Sequence, residues 1–206
     1  NEHFGIGCQL EIIPMKNWER SMDYSQTGLS WVQPSPNMPT LDTAWVYPGM
    51  CLIEGTNISE GRGTTKPFEI IGTPYIDPDE LAHVLNNLGL QGTTFRPLTF
   101  IPTFQKWCGQ NCGGVQIHVT DRKQFKPFLT GIAVIREIAH MYPESFKWRN
   151  PPYEFETIKM PIDILTGDSS ISHMINNYAP LEIIESSWQK DLDSFQKLRK
   201  QFLIYK

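Results

Sequence analysis

Hydrophobic positions recur along this chain with two different periods, and the change from one to the other marks its elements. Asp77-Pro78-Asp79-Glu80 reads as a helix start, with Asp77 as N-cap, Pro78 at the first helical position and Glu80 closing a capping box. Leu81, Val84, Leu85 and Leu88 then form one apolar face, and Gly89 is the stop. Phe128, Ile132, Ile135 and Ala139 predict a helix over Pro127 to Met141, and Ser169 to Asn177 predicts a shorter one. Ile184, Trp188, Leu192, Phe195, Leu198 and Phe202 line one side of a long C-terminal helix. Val115, Ile117 and Val119 alternate with Gln116, His118 and Thr120, the pattern of a half-buried strand. Thr94 to Phe104 reads as a strand with an edge that tolerates Pro97. Gln9 to Met15 and Met50 to Ile53 read as short strands, the second within an apolar run from Trp45 that also fits a helix, and Asn17 to Met22 as the start of a short helix.

Between these elements lie loops. Pro34, Pro36 and Pro39 keep residues 27–42 out of regular helix. Residues 54–68, EGTNISEGRGTTKPF, hold three glycines and no period. The mixture predicts an α/β (or α+β) fold, with a small mixed sheet of about four strands packed by helices and a long C-terminal helix. The chain has no internal repeat and reads as a single domain over 1–206, with Arg149 to Pro152 as a loop inside it.

Composition narrows the classes. Charged residues are 19%, below the usual ~25%, and hydrophobic ones 40%, which excludes a disordered chain. The formal net charge of −4 argues against a general nucleic-acid binder. No apolar run approaches the ~18 residues of a membrane helix. The sequence has neither an initiator Met nor a basic-then-apolar leader, and is read as a processed product or a fragment.

Little of the chemistry follows familiar spacings. Cys108 and Cys112 flank three residues, with His118 beyond, but no second ligand pair is present, so no metal and no other cofactor is expected. A local disulfide or free thiols remain, and four cysteines permit three full pairings. Cys8 and Cys51 sit in apolar surroundings and are expected in the core. No G-x-S-x-G, H-E-x-x-H or P-loop occurs. His118 reads as a hydrogen-bonded strand residue or a site residue. Trp31, beside the proline-rich loop, is the best aromatic platform for a sugar ring. The 54–68 loop is the most informative segment. It carries Glu54, Asn57, Ser59, Glu60, Arg62 and Thr64 among glycines that permit sharp turns, and Asn57-Ile58-Ser59 also matches the N-glycosylation pattern.

Three long motifs, PSPNMPT, EGTNISEGRGT and GVQIHVTDR, occur in this order, with FRPLTFIPTF before the last. Together with their flanks they resemble the C-terminal half of the DUF1343 family, the NamZ-type exo-β-N-acetylmuramidases. The resemblance runs from about Leu10 to the final FLIYK, although the family more commonly has Cys at position 112 only. It implies an activity that removes terminal N-acetylmuramic acid from the non-reducing end of peptidoglycan fragments, and hence an extracytoplasmic place. It also implies a cleft shared with an N-terminal Rossmann-like domain. The PEHG, DxQDVG and DRPNP segments of that domain, and the likely catalytic acid, are not in this sequence, so the chain is expected to lack a full catalytic pair. Its partners would be the peptidoglycan-derived sugar and that N-terminal domain. Glu54, Asn57, Ser59, Glu60, Arg62 and Thr64 become candidate sugar contacts, joined by Arg20, Trp31, Asn37 and His118. Arg62 is the best-placed guanidinium for the lactyl carboxylate of the sugar, with Arg20 second. The alternative for Arg62 is an internal ion pair with Glu54 or Glu60.

Overall fold

The computed structural model describes residues 1–205, which fall into two compact units. The larger covers Trp31–Trp188, and the smaller joins Asn1–Ser30 to the tail from Gln189 onward.

The larger unit is built around three strands: β1 (Ile70–Thr73), β2 (Thr93–Phe100) and β3 (Cys112–Val119). β3 is central, with β1 and β2 antiparallel on either side, so the sheet has three strands where the sequence suggested about four. Pro97 pairs opposite Val115 on an edge strand, where its missing N–H costs no ladder bond. Gly72, Gly113 and Gly114 let neighbouring backbones close in. A Cβ on Gly114 would lie 1.9 Å from the Ile71 carbonyl oxygen, and one on Gly113 2.1 Å from that of Ile76.

Helices cover the sheet. α1 is Leu41–Met50 and α2 is Pro78–Asn87. The Asp77 carboxylate caps α2 by accepting from the Asp79 and Glu80 amides, and Leu81 and Leu85 are buried against the sheet. α3 (Pro127–Met141) runs through the core with Ile132, Ile135 and Ile138 fully buried. α4 (Pro161–Thr166), α5 (Ser169–Asn176) and α6 (Leu181–Ser187) follow. The C-terminal helical stretch continues after Trp188 as α7, Gln189–Arg199. No helix of the described residues is long and apolar enough to cross a membrane.

Three elements and two cysteines depart from expectation. Met50 to Ile53 is not a strand: it closes α1 and enters a 3-10 turn at Cys51–Gly55. Part of the support for this helix is remote in sequence. Thr40 caps α1, and the buried Glu69 accepts from the Thr40 and Thr43 hydroxyls at 3.2 and 2.7 Å while pairing with Lys66, placing negative charge at the helix N-terminus. Gln9 to Met15 forms no strand, since no sheet edge of the described residues pairs with it, and Ile13 is 87% exposed. Cys8 on the same segment is therefore exposed rather than in the core, and Cys51 is only half-buried. Asn17 to Met22 makes no helix; the short helix nearby is a 3-10 turn at Tyr24–Thr27, capped by Asp23.

Candidate functional site

The 54–68 loop is fixed by its own polar groups. Ser59 exchanges two backbone bonds with Gly72, and its hydroxyl accepts from the Gly61 amide at 3.1 Å. Thr64 donates to the Gly61 carbonyl at 2.6 Å and accepts from the Lys66 amide. Gly61 and Gly63 lie at φ 75° and 83°, and a Cβ on either would strike the backbone of Ile70 or of Thr103 and Phe104.

This scaffold aims three of the sequence candidates at one place. The Arg62 Nη2 donates to Glu54 Oε1 at 2.7 Å, and its Nε donates to Glu60 Oε1 at 3.0 Å. Arg62 thus makes the internal ion pairs that were one of its two readings. Burial opposes its charge, but the two carboxylates outweigh it and hold the guanidinium above its ordinary range. The Lys106 ammonium reaches Glu60 Oε2 at 3.0 Å and donates to the Ile53 and Ile58 carbonyls at 3.1 and 2.9 Å. Two of its N–H groups are therefore spent on carbonyls, and the contact with Glu60 is an ion pair. Tyr153 donates its hydroxyl to Glu54 Oε2 at 3.0 Å. These groups, with Gln105, Arg149 and Glu154, line a cavity of about 270 Å³. An adjoining cavity of about 470 Å³ shares Gln105, Lys106 and Arg149 and adds Thr56, Asn57 and Trp107.

The other candidates are placed elsewhere or turned inward. The Asn57 amide donates to the Ser145 carbonyl and accepts from Tyr75 and the Lys147 amide, which also withholds it from glycosylation in the folded state. His118 pairs opposite Thr94 on β3. Trp31 donates its indole N–H to the Met38 carbonyl, and Asn37 lies in the same coil before α1. Arg20 is an exposed residue of the smaller unit. The four cysteines are free thiols, and burial pushes the Cys112 thiol up to about 11, which makes it a poor nucleophile.

The sequence reading missed Gln105, Lys106, Arg149, Tyr153 and Glu154. Gln105, Trp107 and Glu154 adopt positive φ without being glycine, so no residue type marks their turns. Arg149 and Tyr153 flank the prolines of the RNPPY segment, which was legible only as a loop.

Burial, then the Glu54 charge, pushes the Tyr153 hydroxyl far above the usual tyrosine range, and burial pushes Tyr47, Tyr75 and Tyr142 the same way. A hydroxyl whose folded value is raised contributes stability that is full below its unfolded value of about 10 and is lost as pH rises through the folded value. Burial lowers Lys106 and gives the opposite slope, but it is one group against these four tyrosines and Tyr178, which burial also raises. The melting temperature is therefore expected to fall steadily above about pH 10, and to fall less steeply for Tyr153→Phe. A flat profile to about pH 11 in thermal melts would contradict this.

The chain belongs to the NamZ family. Residues 45–205 match the family described as exo-beta-N-acetylmuramidase NamZ, C-terminal, and residues 1–42 match exo-beta-N-acetylmuramidase NamZ, N-terminal. The chain is 47% identical over 205 residues to the peptidoglycan beta-N-acetylmuramidase NamZ of Bacillus subtilis (strain 168), covering 100% of itself and 48% of that protein. A crystal structure of a DUF1343 family protein from Bacteroides fragilis NCTC 9343 superposes with TM-score 0.84 at 29% identity, over 97% of this chain and 51% of that one. A second DUF1343 structure from the same organism shares the fold at TM-score 0.61 and 23% identity, over 84% of this chain and 44% of that one. The chain thus spans about half the length of the curated relative it matches.

Proposed function

We propose that this chain forms the C-terminal part of an exo-acting β-N-acetylmuramidase, which hydrolyses terminal N-acetylmuramic acid from the non-reducing end of peptidoglycan fragments. The observation that carries the reading is the polar cavity around Glu54, Glu60, Arg62, Lys106 and Tyr153, in a chain 47% identical to a peptidoglycan muramidase. Glycoside hydrolysis requires a proton donor and a second carboxylate on opposite sides of the scissile bond. Glu54 and Glu60 are instead both engaged by cations, so neither is presented as a free acid. Their role is to hold a preorganised wall of fixed dipoles and charges against the sugar, while the acid comes from the remainder of the enzyme. The substrate, being wall-derived, carries an extracytoplasmic location with it, which cell fractionation checks.

Release of N-acetylmuramic acid from an N-acetylmuramyl-β-1,4-N-acetylglucosamine disaccharide tests the reading. The full two-domain protein is expected to release it, and the 206-residue chain alone is expected to show no measurable turnover. Failure of the full protein to cleave any muramyl substrate would overturn the proposal. Robust turnover by the chain alone would show that it holds the acid itself.

A further inference from the structure

Three cations line the charged cavity, and two of them are spent. The Arg62 guanidinium is divided between Glu54 and Glu60, and the Lys106 ammonium between Glu60 and two carbonyls. Drawing either toward a ligand would strip partners from Glu60, which is only 4% exposed. Arg149 differs from both. It is exposed, it borders both cavities, and no carboxylate pairs with it among the described residues.

It is also held in place. Residues 147–149 run antiparallel to residues 55–57: the Asn57 amide donates to the Lys147 carbonyl at 2.9 Å, and the Arg149 amide donates to the Gly55 carbonyl at 2.8 Å. The Asn57 side chain clamps the same segment through Ser145 and Lys147. Beyond the backbone, the Arg149 guanidinium lies over the Tyr153 ring at 5.2 Å, and the Tyr153 hydroxyl is tied to Glu54. Stacking on an anchored ring orients the planar fork while leaving its N–H edges available.

We propose that Arg149 is the specificity-determining residue that reads the lactyl carboxylate of N-acetylmuramic acid, through a bidentate contact at the edge shared by the two cavities. This rests on the muramidase reading above, and assigns the anion contact to Arg149 rather than to Arg62. A planar guanidinium with no carboxylate partner gives up no internal ion pair when it takes a ligand carboxylate, whereas Arg62 would give up two.

The test uses the full two-domain protein and two disaccharides, one with the lactyl carboxylate intact and one with it converted to the primary amide. The wild type is expected to prefer the acid in kcat/KM. Arg149→Gln is expected to lower kcat/KM for the acid about ten- to a hundredfold while leaving the amide within about twofold, so that the preference closes. Arg149→Lys keeps the charge without the fork and is expected to fall between the two. An unchanged acid-to-amide ratio in Arg149→Gln would overturn the assignment, as would a wild type without preference. Calorimetric binding of free N-acetylmuramic acid and its amide separates this from the parent reading. If neither disaccharide is cleaved, the muramidase reading fails, and an acid preference in binding that depends on Arg149 still supports the contact. Loss of that dependence sinks it.

Discussion

Gly49→Ala is expected to leave the protein largely unfolded. Gly49 lies near the end of α1, where that helix meets the start of α3, and a Cβ there would sit 1.8 Å from the Pro127 carbonyl oxygen and 2.4 Å from its carbon. The contact is reciprocal, because a Cβ on Gly131 of α3 would lie 2.3 Å from the Gly49 oxygen. Both neighbours are backbone, so no side chain can swing aside, and the helices must separate by more than an ångström. Separation would open the packing around Val46, Met50, Ile132 and Ile135, each at most 1% exposed. Ordinary overpacking costs about 1–3 kcal/mol, and a backbone collision at a helix crossing belongs with the largest point effects, about 4–5 kcal/mol or more. Against a typical total of about 5–15 kcal/mol, that removes much or all of the margin. Gly89→Ala is the control: φ is 70° but nothing lies within 4 Å, so only the left-handed conformation is penalised, by about 1–2 kcal/mol. Thermal melting and soluble yield compare the two. A melting temperature for Gly49→Ala close to that of Gly89→Ala would mean that the helices slide apart without loss.

The crossing at Gly49 and Gly131 is invisible in the sequence for a simple reason. Each glycine lies inside an apolar helical segment, and its purpose depends on a neighbour about 80 residues away. By contrast, α3 and β3 were legible because their signals are local: Pro127 opens a clean helical period, and Val115, Ile117 and Val119 alternate. The Met50 to Ile53 run has no period to arbitrate between strand and helix, and the support that Glu69 gives to the N-terminus of α1 comes from a residue outside the run. The site divides in the same way. Glu54, Glu60 and Arg62 were legible because charges crowd among glycines within one loop. Lys106, Arg149 and Tyr153 reach them across 40 to 100 residues of chain, through contacts that leave no mark on composition or spacing.

Lys106→Met is expected to lower both stability and activity, and the size of the stability loss follows from what Lys106 leaves behind. Its ammonium donates to the Ile53 and Ile58 carbonyls and pairs ionically with Glu60 Oε2. Burial disfavours that charge and lowers the Lys106 value, yet the Glu60 carboxylate beside it, 5% exposed, would be left with Arg62 on Oε1 and no cation on Oε2. Methionine fills the same volume but donates nothing. Breaking a buried pair from one side costs about 3–5 kcal/mol, several times what a solvent-exposed pair contributes. For a domain of this size that corresponds to a fall of roughly 10 °C in melting temperature. The loop that carries Lys106 also carries Gln105 and Trp107, at φ 68° and 60°, and its remaining tie to the 54–68 loop includes the Trp107 indole donating to the Asn57 carbonyl at 2.6 Å. Without Lys106 the shared edge of the two cavities loosens, and kcat/KM of the full two-domain protein should fall as well. Combining Lys106→Met with Glu60→Gln removes the half-paired charge. The double variant should therefore lose less stability than the two single losses added together, with a coupling of about 1–3 kcal/mol. Strict additivity of the two substitutions in chemical denaturation would show that Lys106 and Glu60 stabilise the fold independently, and that the ion pair between them contributes nothing of its own.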